Sequence, residues 1–181
     1  MRFTLPALFL TLSLAAHAEA PKWKKVLPAL PDTIALHSGV VCSQTKERDI
    51  KLEIYVPKSG DKLPAILLIH GGGWKANQVE ADRPLAERLA SHGYVVVQVP
   101  YRLSTEAHYP AALHDCKAAL RFMRAHAAEY KVNSDKIGVM GGSAGGHLSG
   151  LMGMTGDMKN LEGEGGSPDQ STKLSACIVM A

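Results

Sequence analysis

Apolar residues along this chain fall in short runs, separated by polar, glycine-rich or proline-rich stretches. Residues 51–56 (KLEIYV) alternate polar and apolar side chains, the period of a half-buried strand. Pro64 precedes AILLIH, an apolar run of strand length. A glycine-rich turn follows, and then a predicted helix over 84–91. Leu85 and Leu89 lie four apart in it, and Gly93 sits where a helix C-terminal glycine belongs. Residues 94–99 (YVVVQV) are β-branched and read as a strand buried on both faces. Pro110 opens the next predicted helix, in which Leu113, Cys116, Leu120 and Met123 recur at helical spacing. Residues 136–140 read as a short strand and 144–154 as a helix. The polar, Gly- and Asp-rich segment 155–173 reads as a surface excursion, and LSACIVMA as the start of a further buried strand. The stretch leading up to residue 51 reads as a Lys/Pro-rich lead-in.

Strands alternating with helices at this spacing predict an α/β fold, a mostly parallel sheet with helices on both faces. A chain of 181 residues is long enough for one such domain. With 46% hydrophobic and 20% charged residues it has ordinary globular composition. The net charge of +3 is spread out, and the nearest basic cluster, Lys22, Lys24 and Lys25, has no aromatic ladder beside it. Nucleic acid is therefore not an expected partner.

Residues 1–18 read as a signal peptide. Arg2 gives a positive start, 5–15 are apolar, and Ala16-His17-Ala18 fits a small-x-small cleavage site. The apolar run is interrupted by Pro6 and is shorter than the roughly 20 residues of a membrane span. A secreted or periplasmic protein comprising 19–181 is expected. Cys42, Cys116 and Cys177 are widely spaced and form no CxxC pair; Cys116 and Cys177 read as small buried hydrophobes. The eight histidines show no metal-ligand spacing, and neither a metal nor another cofactor is implied.

The stretch GVMGGSAGGHLSG (138–150) calls for an explanation of its glycines. Gly141 and Gly146 have P-loop spacing, but His147 and Leu148 stand where the lysine and hydroxyl belong. Upstream, Gly71, Gly73 and Ala76 fit a loose dinucleotide fingerprint. However, the next strand ends in Gln98, Val99 and Pro100, with no acidic residue for a ribose. Gly141-Gly142-Ser143-Ala144-Gly145 instead matches G-x-S-x-G between a predicted strand and helix, the turn that lifts a serine hydroxyl out of the fold. His70-Gly71-Gly72-Gly73-Trp74 follows the strand AILLI and can present backbone amides to a developing oxyanion. The amide after the nucleophile, that of Ala144, lies at the positive end of its helix.

HGGGW, the segment ASHGYVVVQVPYRLSTEAHYPAALHDCKAALRFMRAHA and GGSAGGHL together resemble the α/β-hydrolase superfamily. The closest resemblance is to its bacterial carboxylesterases related to hormone-sensitive lipase and to feruloyl and acetyl-xylan esterases. The likeness runs from about Leu52 to Ala181. It implies Ser143 as nucleophile and the amides of Gly72, Gly73 and Ala144 as the oxyanion hole. It also implies a small-molecule or carbohydrate-linked ester as substrate. In this fold the serine is followed by an acid and then a histidine. The only histidine after Ser143 is His147, four positions on, and it reads as a packing residue. Asp157 and Asp169 lie in the polar excursion, before the point where the family places its acid. The triad acid and base are therefore not expected in this chain, which reads as an N-terminal portion lacking the last strands. An amidase or peptidase on the same fold, or a catalytically incompetent chain with an open apolar sheet edge, are the alternatives.

Several neighbours read as structural. His70 is expected to shape the oxyanion loop, and Trp74 to line a pocket or pack over it. Tyr101 and Arg102 should brace a loop, on which His108 follows. His114 and Asp115 fall in a first helical turn, where an aspartate suits the helix dipole. Lys117, Arg121 and Arg124 read as that helix's solvated face.

Overall fold

The computed structural model describes residues 28–181, so the expected signal peptide at 1–18 lies outside the described residues. The first element is a hairpin the sequence pattern does not show, of β1 (Ile34–Gln44) and β2 (Asp49–Pro57), paired antiparallel. Its turn is closed by Thr45, whose Oγ1 donates to the Arg48 carbonyl at 2.7 Å and accepts the Arg48 N–H at 3.2 Å. The register of β1 on β2 shifts between Ser38 and Val40 and again between Val41 and Ser43. Each irregularity breaks the period-2 alternation by which a strand is read from sequence.

Three β-α units follow: β3 (Leu63–Ile69), α1 (Arg83–Ser91), β4 (Val95–Gln98), α2 (Ala111–Ala125), β5 (Val132–Gly142), α3 (Ala144–Met154) and β6 (Ala176–Met180). The sheet order is β1-β2-β4-β3-β5-β6, with β4, β3, β5 and β6 parallel, β2 antiparallel to β4, and β1 antiparallel to β2. Ala86 and Ala90 of α1 pack on one face, against Tyr55, Leu68 and Val96. Leu113, Leu120 and Met123 of α2 and Leu148 and Met152 of α3 cover the other, against Leu67, Ile69, Val97 and Val139. Each such Leu, Ile or Val contributes about 1.5–3 kcal/mol by leaving water. The α/β fold with helices on both faces is thus present.

Two expectations fail. First, β6 is exposed along its whole length, and Cys177 is exposed with it. Its inner edge pairs with β5, while its outer edge meets no further strand among the described residues. Its apolar sequence therefore has too few neighbours to bury it. Second, the basic stripe of α2 is not solvated. Lys117 is 0% and Arg121 1% exposed. Lys117 Nζ donates to the Thr155 carbonyl and to Glu162 Oε1, both at 2.6 Å. Arg121 reaches the Glu162 carboxylate and carbonyl, each at 3.0 Å, and the Gly165 carbonyl. Arg124 donates to the carbonyls of Ser171 at 2.7 Å and Lys173 at 2.6 Å. An irregular segment leaves carbonyls without ladder partners, and these side chains supply the missing donors. Glu162 balances the two buried cations, as buried charges require.

Candidate active site

β5 runs into Ser143 and α3 leaves it, with the serine at φ 53°, ψ −119°. An L-residue adopts such a backbone only under constraint, at a cost on the order of 1–3 kcal/mol. Several contacts supply the constraint. The Ser143 N–H donates to the Met180 carbonyl of β6 at 3.0 Å, and its carbonyl accepts the His147 N–H at 3.0 Å. The two flanking glycines leave no alternative. A Cβ on Gly145 would collide with the carbonyl oxygens of Ile69 and His70, and one on Gly141 would fall 2.7 Å from the Ile69 oxygen. Ser143 itself is exposed.

The loop after β3 lies directly alongside. A Cβ built on Gly71 would stand 3.6 Å from the Ser143 Cβ. Gly72 has φ 104°, and its carbonyl accepts the N–H groups of Lys75 and Ala76, both at 3.0 Å. Beneath the loop the buried His70 ring stacks on Tyr101, with centroids 4.3 Å apart and planes 12° from parallel. His70 Nδ1–H donates to the Gly71 carbonyl at 2.7 Å, and the Tyr101 hydroxyl lies 3.1 Å from the His70 carbonyl and 3.4 Å from that of Gly71. The peptide is planar and trans, so the Gly72 N–H points opposite to the Gly71 C=O that His70 and Tyr101 hold. Burial lowers the His70 pKa, and because a carbonyl only accepts, the bond to Gly71 puts a proton on Nδ1. Its Nε2 has no partner among the described residues.

The other sequence-predicted residues are placed as follows. Gly72 and Gly73 lie on the loop after β3, both at positive φ, and Ala144 begins α3 directly after the serine. Trp74 is held by its carbonyl, which accepts the Ser104 N–H at 2.8 Å, and its ring meets His147 edge-on at 5.3 Å. His147 is exposed on the first turn of α3 and packs on that ring, the packing role expected of it. Arg102 is locked by Asp115, with Nη2–Oδ1 at 2.8 Å and Nε–Oδ2 at 3.0 Å, and by Glu47 at 2.8 Å. Asp115 thus has a specific partner beyond the helix dipole. His114 Nε2 is buried under the loop around Gly163. The carbonyl of His108 accepts the Ala111 N–H at 3.0 Å, at the start of α2.

Neither candidate acid is brought to the serine. The Asp157 carboxylate accepts the Thr172 N–H at 2.8 Å and the Ser171 hydroxyl at 2.9 Å, and these bonds hold its pKa below the usual range. Asp169 bonds the Gln170 side chain at 3.0 Å. Among the described residues no group of three His, Cys, Asp or Glu could hold a metal, and no helix is long and apolar enough to cross a membrane. Sequence reasoning missed Met180 as the carbonyl that closes the elbow, while Tyr101, expected to brace a loop, does so beneath His70. Parallel pairing of the strand after α3 with β5 was the available signal for Met180.

Residues 52–180 match the family described as BD-FAE. Carboxylesterase NlhH of Mycobacterium tuberculosis is 40% identical over 106 residues, which are 58% of this chain and 33% of that protein. A truncated carbohydrate esterase from gut microbiota superposes with a TM-score of 0.74 at 31% identity, covering 83% of this chain and 57% of its own. A butyrate-bound thermophilic esterase from Thermogutta terrifontis gives 0.68 at 32% identity, covering 82% and 53%. The chain therefore spans between a third and somewhat over half of the length of these relatives.

Proposed function

Because the chain belongs to the BD-FAE family of α/β-hydrolases, we propose that its protein hydrolyses carboxylic esters through an acyl-enzyme on Ser143. One observation carries the reading: a strained, exposed serine stands at a strand-helix turn beside a glycine loop, where a Cβ added to Gly71 would meet its own Cβ at 3.6 Å. Ser143 Oγ bonds to the ester carbonyl carbon as its proton passes to a general base. The C=O electron pair moves onto oxygen, and the N–H groups of Gly72, Gly73 and Ala144 stabilise that charge. When the carbonyl re-forms, the C–O bond to the alcohol breaks and the proton goes to the leaving oxygen. Water then repeats the sequence on the acyl-serine and releases the acid. The base is a histidine further along than His147, following the order of triad residues in this fold.

The likeness to a carbohydrate esterase and the signal-like residues 1–18 support acetyl or aromatic esters on polysaccharides, outside the cytoplasm, as the setting. N-terminal sequencing of the exported protein should begin near Glu19; an N-terminus still carrying residues 1–18 would refute export by cleavage. For the chemistry, the 181-residue chain is incubated with p-nitrophenyl acetate and its peptides are weighed. Turnover should be low, since the oxyanion hole and binding alone give only about 10³–10⁴-fold over water. The acetyl group should nevertheless appear on the Ser143 peptide and vanish in Ser143→Ala. Acetyl on lysines alone would refute the assignment.

A further inference from the structure

We infer that Arg48, in the turn between β1 and β2, is a positioning residue for the oxyanion hole; this rests on the ester hydrolysis proposed above. Its hydrogen bonds go to neither the serine nor the glycine loop. It acts instead through residues 99–110, the irregular loop that joins β4 to α2.

The first carbonyls of that loop depend on one side chain. Arg48 Nη2 donates to the carbonyls of Pro100 at 2.9 Å and Tyr101 at 3.1 Å, and neither has another donor among the described residues. The same guanidinium grips the loop further on. Its Nε lies 2.5 Å from Glu106 Oε1 and its Nη2 3.3 Å from Oε2, which also accepts the Leu103 N–H at 2.7 Å. One planar fork thus ties together residues 100, 101, 103 and 106. Thr45 bonds both the N–H and the carbonyl of Arg48, so the fork starts from a closed turn. Beside it Glu47 holds Arg102 at 2.8 Å, with the charges reversed.

Two residues of the loop carry this hold to the site. Tyr101 is 1% exposed; its ring stacks on His70, and its hydroxyl reaches the His70 and Gly71 carbonyls. Arg48 fixes Tyr101 by its carbonyl, and Tyr101 in turn steadies the Gly71–Gly72 peptide. Ser104 donates its N–H to the carbonyl of Trp74, the residue after Gly73, at 2.8 Å. The Gly72–Gly73 segment therefore leans at both ends on a loop whose position Arg48 sets. An oxyanion hole works through donors placed before the charge develops. Misplacement on the order of 1 Å can cost about a hundredfold in rate. A lysine would keep the charge but lacks the fork that spans two carbonyls and a carboxylate.

The test follows acylation and loop order separately. The 181-residue chain is treated with increasing p-nitrophenyl acetate, and acetyl on the Ser143 peptide is followed in time. Residual acylation rests on the oxyanion hole and binding, so its limiting rate reads the hole. Arg48→Met should lower that rate about ten- to a hundredfold and leave the half-saturating ester concentration little changed. Arg48→Lys should recover only part of the loss. Glu106→Gln, which keeps both carbonyl bonds, should fall between wild type and Arg48→Met, and it serves if the latter does not fold. In a Trp23→Phe background Trp74 is the sole tryptophan, and its quenching by acrylamide should rise in Arg48→Met. A limiting rate unchanged in folded variants, full recovery with Arg48→Lys, or a loss confined to half-saturation would overturn the assignment. Absence of acetyl on the wild-type Ser143 peptide would instead refute the esterase reading. Raised Trp74 quenching would in that case keep Arg48 as the brace of the glycine loop, and unchanged quenching would remove it.

Discussion

The turn around Ser143 and the clamp around Glu162 are held by opposite means. At the serine, position is set by backbone: two glycines without room for a Cβ, a carbonyl from β6, and a planar peptide turned by His70. At the clamp, position is set by long side chains, with Lys117 and Arg121 converging on one carboxylate. Backbone constraint suits an element that must hold an unfavourable φ, since steric exclusion does not relax. Side-chain constraint suits an irregular segment whose carbonyls point in many directions. The contrast predicts different kinds of failure at the two places.

Gly145→Ala should do the most damage. Overpacking usually costs about 1–3 kcal/mol, and here the obstacles are carbonyl oxygens of β3 and its loop, which have no rotamer to yield. The expected result is a chain without a cooperative urea transition; a normal transition would show that the elbow is not held sterically. Glu162→Ala should cost about 3–5 kcal/mol, because two buried cations lose their counter-charge. Replacing Lys117, Arg121 and Glu162 together by Met, Met and Leu should recover most of that loss. If the triple variant is no better than the single one, the clamp acts through its carbonyl bonds rather than its charges. Ser143→Gly should stabilise by about 1 kcal/mol, releasing backbone strain less the entropy of the added glycine. The urea midpoint should rise at constant slope.

The smallest effect concerns pH. Burial lowers the pKa values of His70 and His114 from the ordinary 6.5, so the fold favours both neutral rings. The unfolded chain binds those protons more readily. Their contribution is therefore complete above about 6.5 and lost as pH falls towards the folded values. Asp82, whose pKa burial raises from 3.8, opposes this: its contribution is complete below 3.8 and lost as pH rises through its folded value. The melting temperature should thus decline on acidification below 6.5, and less steeply in His70→Asn. An unchanged slope would show that His70 is not held neutral by the fold.

The same contrast explains what the sequence discloses. The site motifs are legible because backbone demands select residue types locally: only glycine serves at 141 and 145, and spacing alone places the serine between them. The sheet is legible where strands are central and uniformly apolar, as in β3 and β4. β1 escapes notice because its register shifts scramble the alternation. The stripe of Lys117, Arg121 and Arg124 reads as solvated because helical spacing is the same whether water or carbonyls face it. Its partner Glu162 lies 45 residues from Lys117, and nothing local in the sequence links them. β6 reads as buried because composition reports what a strand prefers, not which neighbours it has.

The bond from the Ser143 N–H to the Met180 carbonyl also has a consequence in time. On a growing chain, both glycine motifs emerge well before β6, yet the turn lacks one of its restraints until that strand has docked beside β5. Until then the serine can relax to an ordinary backbone conformation and withdraw its hydroxyl. Display of the nucleophile is thereby tied to the docking of β6 on β5, and a slip of β6 by one residue would carry the Met180 carbonyl out of reach.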